Sequence, residues 1–135
     1  QSIYAFAPTG STWLWRYRTA SPLTTQPAWH AGVLYAHVPD EGLIAFDVSP
    51  EARDAGRFGQ VLWRNTEVAR AVVSLRADEL VVWDGETASL VDRVGGDLLA
   101  AVPLPRFDRL VPSRFVDGDL YALADNGLLA KFSPR

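Results

Sequence analysis

The chain of 135 residues has no cysteine and no methionine, and only one lysine, Lys131, beside twelve arginines. Without cysteine there is no disulfide, no thiol nucleophile and no thiolate metal site, although the compartment stays open. Without methionine, residue 1 is not an initiator, so the chain is expected to be processed or excised from something longer. No apolar run approaches the roughly 20 residues that cross a bilayer, and membrane insertion by this segment is not expected. A net charge of −3 supplies no electrostatic reason for a nucleic-acid partner. Nor does any stretch of helical length show a 3.6-residue apolar period.

Catalytic patterns are scarce as well. Ser11, Ser21, Ser74, Ser89, Ser113 and Ser133 all lack a Gly-x-Ser-x-Gly setting. Gly95-Gly96 reads as a two-residue turn and not a phosphate cradle, since no helix follows it. The two histidines, His30 and His37, are seven residues apart, an odd spacing that alternation sends to opposite faces of a strand, away from any shared metal. The carboxylate pairs Asp40/Glu41, Asp84/Glu86 and Asp117/Asp119 recur at hairpin positions, which predicts turn chemistry and not calcium ligation. No catalytic residue, cofactor or metal is expected.

What the chain does contain is a repeated phrase. Gly32-Val-Leu-Tyr-Ala-His-Val-Pro-Asp-Glu-Gly-Leu-Ile-Ala-Phe-Asp-Val48 reads as strand, tight turn and strand, with Pro39 to Gly42 at the turn. It returns from Asp78 to Asp92 and from Asp117 to Lys131. Leu34, Leu80 and Leu120 head equivalent hairpins 46 and 40 residues apart. The difference falls in Ser49 to Gly59, which is expected to be an inserted surface loop.

Further strands are expected at Ser2 to Phe6, Thr12 to Arg18, Gln60 to Arg64, Ala71 to Leu75, Asp97 to Val102 and Leu110 to Val116. Pro103-Leu-Pro105 ends one of them, because proline cannot donate to a ladder. A period near 40 with four short strands predicts an all-β fold of propeller blades, each stacking on its neighbour to bury two apolar faces. The expected units are a terminal strand of a preceding blade at 1–10 and blades at 11–48, 60–94 and 97–135, with 49–59 inserted before the second. Three blades do not close a ring of the usual four to eight. The chain is therefore expected to belong to a larger or composite propeller, completed by further blades or a protein partner.

These residues resemble the pyrroloquinoline-quinone-like propeller repeats. Tyr4-Ala5-Phe6 with Thr9-Gly10 and Trp15 is similar to the family's Tyr-Ala-Leu-Asp, Thr-Gly and terminal Trp pattern, as is Ala45-Phe46-Asp47 leading to Trp63. Gly32 to Tyr35 and Gly118 to Leu123 are similar to its third strand. Ala7 replaces an expected Asp, and Ala100 stands where Trp63 stood. The resemblance implies that the Trp docks neighbouring blades, so the junction at Ala100 should pack less tightly. It also implies a periplasmic or otherwise extracytoplasmic home. The family holds quinone-dependent dehydrogenases and non-catalytic scaffolds, such as the outer-membrane assembly lipoprotein of the β-barrel machinery.

The expected function is accordingly a scaffold for protein–protein interaction. The alternatives are a fragment of a quinone-dependent dehydrogenase or a ligand- or carbohydrate-binding propeller. Trp13, Trp15 and Trp63 are assigned to the core between blades, with Trp13 and Trp15 on one face. Trp29 and Trp83, together with Arg16, Arg18, Arg64 and Arg70, form the expected interaction surface, aromatic and arginine side chains being the usual ingredients of binding hot spots.

Overall fold

Each repeated hairpin pairs with the strand before it and the strand after it, so the units of the fold are small antiparallel sheets. In the computed structural model, which describes residues 1–9 and 12–133, there are four, stacked in chain order. Sheet I holds β1 (Ser2–Phe6) and β2 (Trp13–Arg18). Sheet II runs β3 (Ala28–His30), β4 (Val33–Val38), β5 (Gly42–Asp47) and β6 (Gln60–Asn65). Sheet III runs β7 (Ala71–Arg76), β8 (Glu79–Trp83), β9 (Thr87–Asp92) and β10 (Leu98–Pro103). Sheet IV holds β11 (Arg109–Pro112), β12 (Leu120–Leu123) and β13 (Leu129–Phe132). Gly10 and Ser11, and residues 134–135 of the expected last unit, lie outside the described residues. No helix among the described residues is long and apolar enough to cross a membrane.

The all-β class is as expected, but the units are offset by one strand. β2 pairs with β1 and not with the 28–48 hairpin, and β6 pairs with β5 across the 49–59 segment. Hence the hydrogen-bonded groups are 2–18, 28–65, 71–103 and 109–132, and Ser2 to Phe6 is no orphan. A period measures the length of a repeat and says nothing of where the repeat begins, so the phase had to come from the ladders.

Segment 49–59 is also more than a loop. Pro50–Asp54 forms the short helix α1, capped by Ser49, whose Oγ accepts the Ala52 amide at 3.1 Å. Proline suits the first helical turn and serine its cap. The Asp47 carboxylate accepts the Ser49 hydroxyl at 2.6 Å and its amide at 3.1 Å. Those bonds favour the ionised form and hold the carboxyl below its usual range.

Side-chain alternation explains the stacking. From sheet II, Ala36, Val38, Ile44 and Phe46 meet Ile3, Trp15 and Tyr17 of sheet I. The intervening residues Tyr35, Leu43, Ala45 and Trp63 meet Val72, Leu80, Val82 and Val91 of sheet III. On the other side of sheet III, Val81 and Trp83 meet Leu110, Leu120 and Ala122 of sheet IV. Both interior sheets thus bury two faces, which a period of two allows only when each face has a neighbour. The first strands converge, β7 touching β3 and β4 on one side and β11 on the other.

Two of the three junctions carry the same joint. The ring of Trp15 on β2 lies against Gly59, just before β6, and that of Trp63 on β6 lies against Gly96, just before β10. Both glycines have φ of +81°. A Cβ on Gly96 would stand 2.5 Å from the Trp63 ring. The Trp63 indole N–H donates to the Arg93 carbonyl at 3.0 Å. Asn65, two residues on and so on the same face, donates to the Gly96 carbonyl at 2.7 Å and is buried. The third junction has Ala100, facing Leu90 across the ladder as Trp63 faces Ala45. All of β10 is exposed, and a cavity of about 710 Å³ opens between sheets III and IV.

Trp63→Ala is expected to lower the unfolding free energy by about 3–5 kcal/mol, as for other buried tryptophans. Gly96→Ala is expected to cost about 1–3 kcal/mol from its backbone alone. Urea denaturation measures both, and a Gly96→Ala protein as stable as the parent would remove the joint from the stacking. The stabilisation from Asp47 is complete above the ordinary carboxylate pKa of about 3.9 and is lost as pH falls through its lowered folded value. Urea midpoints measured from about pH 5 to pH 2 should therefore fall less steeply in Asp47→Asn than in the parent.

Candidate interaction surface

The six residues expected to share one surface are dispersed. Trp83 is buried at 9% exposure in the core between sheets III and IV, among Val81, Leu110 and Ala122. It offers no contact surface, because its place on β8 alternates with Val82, which faces sheet II's side. Trp29, by contrast, is 63% exposed. It sits opposite Leu34 in the β3–β4 ladder, on the face turned toward sheet I. Among the described residues sheet I has two strands, which leave the β3 end of that face uncovered.

Arg64 is engaged in an anchor. Its guanidinium donates to the Glu41 carboxylate at 3.0 Å and to the Tyr17 hydroxyl at 2.9 Å, while Tyr17 donates to Glu41 at 2.5 Å. The three side chains tie β2 of sheet I to the β4–β5 turn and to β6. Burial, followed by the bond to Glu41, pushes the Tyr17 hydroxyl above its ordinary pKa. Arg70 lies elsewhere, exposed at φ +78° before β7, beside the Gly85 turn. Burial and, after it, the Arg70 charge lower the pKa of His37.

Only Arg16 and Arg18 lie on one free surface, and it is a surface the sequence reading missed. They project from β2 on the face of sheet I turned away from sheet II, together with Tyr4, Phe6 and Trp13. Tyr4, Phe6 and Trp13 are 50%, 60% and 59% exposed. Tyr4 and Phe6 stack with ring centroids 6.0 Å apart at 25°. Tyr4 faces Arg16 across the ladder and Phe6 faces Trp13. Hydrogen bonds from Ser2 and then Arg16 lower the Tyr4 pKa.

Trp13 was expected in the core on the same face as Trp15. The pairings Phe6 with Trp13 and Ala5 with Trp15 skip Leu14, so a β-bulge turns the two indoles to opposite faces. The same bulge recurs at Leu62 in β6 and at Leu99 in β10, each the unpaired residue of its ladder. The alternation of Tyr4 and Phe6 with Ile3 and Ala5 was the legible signal for this face.

The remaining polar groups serve structure. Asp84 Oδ1 accepts the amides of Glu86 and Thr87 at 2.8 and 2.7 Å, closing its turn. Asp117 accepts the Ala77 amide at 3.1 Å and so ties two sheets. Asp119 pairs with Lys131 at 2.9 Å, an interaction that lowers the pKa of the acid and raises that of the amine. Buried Ser74 donates to the Phe115 carbonyl at 2.9 Å. The Ser49–Asp47 pair belongs to the helix cap, and Ser21 donates to Asp40 at 3.1 Å on an exposed turn. His30 and His37 point to the same side and not to opposite ones, since His30 pairs with Val33 and the Ala31-Gly32 turn resets the alternation. Four residues of strand, about 13 Å, still separate them along β4.

Trp83→Ala should cost about 3–5 kcal/mol in urea denaturation, whereas Trp29→Ala and Trp13→Ala should stay within about 0.5 kcal/mol of the parent. Equal losses at Trp13 and Trp83 would contradict the exposed placement of Trp13.

No protein-family model and no curated protein matches the chain. Among solved structures it is similar to the computationally designed Ika4 protein, with a TM-score of 0.70 at 14% identity, over 99% of this chain and 80% of that one. It is also similar to the computationally designed Ika8 protein, with a TM-score of 0.70 at 14% identity, over 98% of this chain and 40% of that one. The likeness is one of fold: four antiparallel sheets in a row, with almost no helix.

Proposed function

We propose that the four sheets are blades of a β-propeller of the pyrroloquinoline-quinone-like repeat type, and that the segment is a non-catalytic scaffold for protein–protein interaction in an extracytoplasmic assembly. The observation that carries this reading is the far face of sheet I, where Tyr4, Phe6 and Trp13 stand exposed beside Arg16 and Arg18. Aromatic and arginine side chains dominate binding hot spots because they bury large area at small entropic cost and hydrogen-bond at their tips. The inner faces of sheets I, II and III are covered by their neighbours, and the far face of sheet IV exposes Val111, Leu123 and Leu129 without the aromatic-arginine cluster. Convergence of the first strands and the tryptophan–glycine joints favour blades over a flat stack. The structural use of Ser74, Asp84, Asp117 and Asp119 favours a scaffold over an enzyme.

Native mass spectrometry and a visible absorption spectrum of the protein purified from the cells that make it test this reading. The expected result is an assembly heavier than the 14.8 kDa chain, without a quinone band, that loses its added mass in the Phe6→Glu/Trp13→Glu protein. A quinone band that survives dialysis would favour a dehydrogenase fragment. A 14.8 kDa monomer would count against the scaffold.

A further inference from the structure

β2, β6 and β10 form the outer edges of sheets I, II and III. The repeat aligns Trp15, Trp63 and Ala100, so the residues that follow are Arg16, Arg64 and Ala101. An arginine on an edge deters pairing with another strand, and sheets I and II carry one. β10 does not. It reads Leu98-Leu-Ala-Ala-Val-Pro103, without a charge, and all six residues are exposed. Two hydrogen bonds fix which backbone groups of β10 face outward. The Leu104 amide donates to the Glu86 carbonyl at 2.7 Å, so by alternation Val102 and Ala100 also bond toward β9. Across the bulge at Leu99, the Asp97 carbonyl accepts the Asp92 amide at 2.8 Å. Leu98, Ala101 and Pro103 therefore turn their backbone groups to the open edge. Pro103 has no N–H to present there, which is why the strand tolerates it. The same three residues pair with Val91, Ser89 and Thr87, on the face turned to sheet II.

We propose that β10 is a self-association edge, which pairs antiparallel with β10 of a second copy of this chain about a two-fold axis at Ala101. The outward groups set the register. Each Ala101 amide donates to the other copy's Ala101 carbonyl, and each Leu98 amide donates to the other copy's Pro103 carbonyl. Pro103 thus accepts where it has nothing to donate. The extra residue at Leu99 brings Leu98 and Pro103 onto one face, so apolar side chains meet across the new ladder. Two features select a second copy as the occupant. An antiparallel pair of identical strands is self-complementary, the isologous contact of a two-fold dimer. The strand is also bracketed by an exposed acid and an exposed base, Asp97 before it and Arg106 after it, neither in an ion pair among the described residues. Antiparallel pairing sets each against its opposite at both ends. In sheets I and II the same axis would set Arg16 on Arg16 or Arg64 on Arg64, and repulsion restricts the contact to sheet III. The proposal uses neither the blade reading nor the far face of sheet I.

The test is sedimentation equilibrium of the whole chain, purified alone, at concentrations up to about 1 mM, which reaches weak self-association. The expected result is a reversible equilibrium between the 14.8 kDa chain and twice that mass. Ala101→Arg restores the residue that the other two edges carry. It should raise the dissociation constant at least about tenfold, since like charges then face each other on the axis. The thermal transition, measured at a dilution where the parent is monomeric, should stay in place. Ala101→Pro removes both symmetry-related donors and should weaken the dimer by about the same factor. Its nitrogen faces outward as that of Pro103 does, so the bonds to β9 survive. Phe6→Glu/Trp13→Glu should leave the equilibrium unchanged. A monomer at every concentration, a dimer indifferent to both changes at Ala101, or a dimer lost in Phe6→Glu/Trp13→Glu would overturn the edge. A foreign partner held by sheet I adds mass that Ala101→Arg leaves in place, so this proposal and the scaffold reading can fail separately.

Discussion

An indole packed against a glycine governs how these sheets stack. A tryptophan on the last strand of one sheet needs a neighbour without a Cβ, and the turn before the last strand of the next sheet supplies it at Gly59 and Gly96. Both glycines adopt a left-handed backbone that other residues enter at a cost, so conformation and close approach ask for the same residue at one point. The joint fixes the distance between sheets. The apolar side chains of β4, β5, β8 and β9 then interdigitate at that distance to form the cores. The buried amide of Asn65 adds direction, since its bond to Gly96 holds the turn in register with the ring.

The junction between sheets III and IV has no such joint, since sheet IV has no described fourth strand opposite β10. It keeps its deep contacts at Trp83, Leu110 and Leu120 and opens over Ala88, Leu90 and Val102. The contrast separates what holds sheets together from what completes each one, because the ladders of sheet III are complete although its outer strand is exposed throughout.

The polar inventory serves the fold. Carboxylates close turns, tie sheets or cap α1, and the buried serine satisfies a carbonyl, so these groups spend their hydrogen-bonding capacity on geometry. Exposed aromatic area remains at the far face of sheet I, and an open groove remains beside sheet IV.

Much of this architecture was legible in the residues. Alternation and turn chemistry placed nearly every strand, because a strand's side-chain period and the φ preferences of Gly, Asp and Pro are local properties. Even α1 had a readable start in Ser49-Pro50-Glu51. Other features depended on which strand meets which. The phase of the repeat came from ladders that join residues across the 49–59 segment. The opposite facing of Trp13 and Trp15 came from a bulge at Leu14 that only the partner strand reveals. The burial of Trp83 and the exposure of Trp29 came from the width of the neighbouring sheet. Local sequence determined the strands and turns, through backbone preference and period. The tertiary structure decided which aromatic residues are core and which are surface, because burial belongs to the neighbour that covers a face and not to the residue that occupies it.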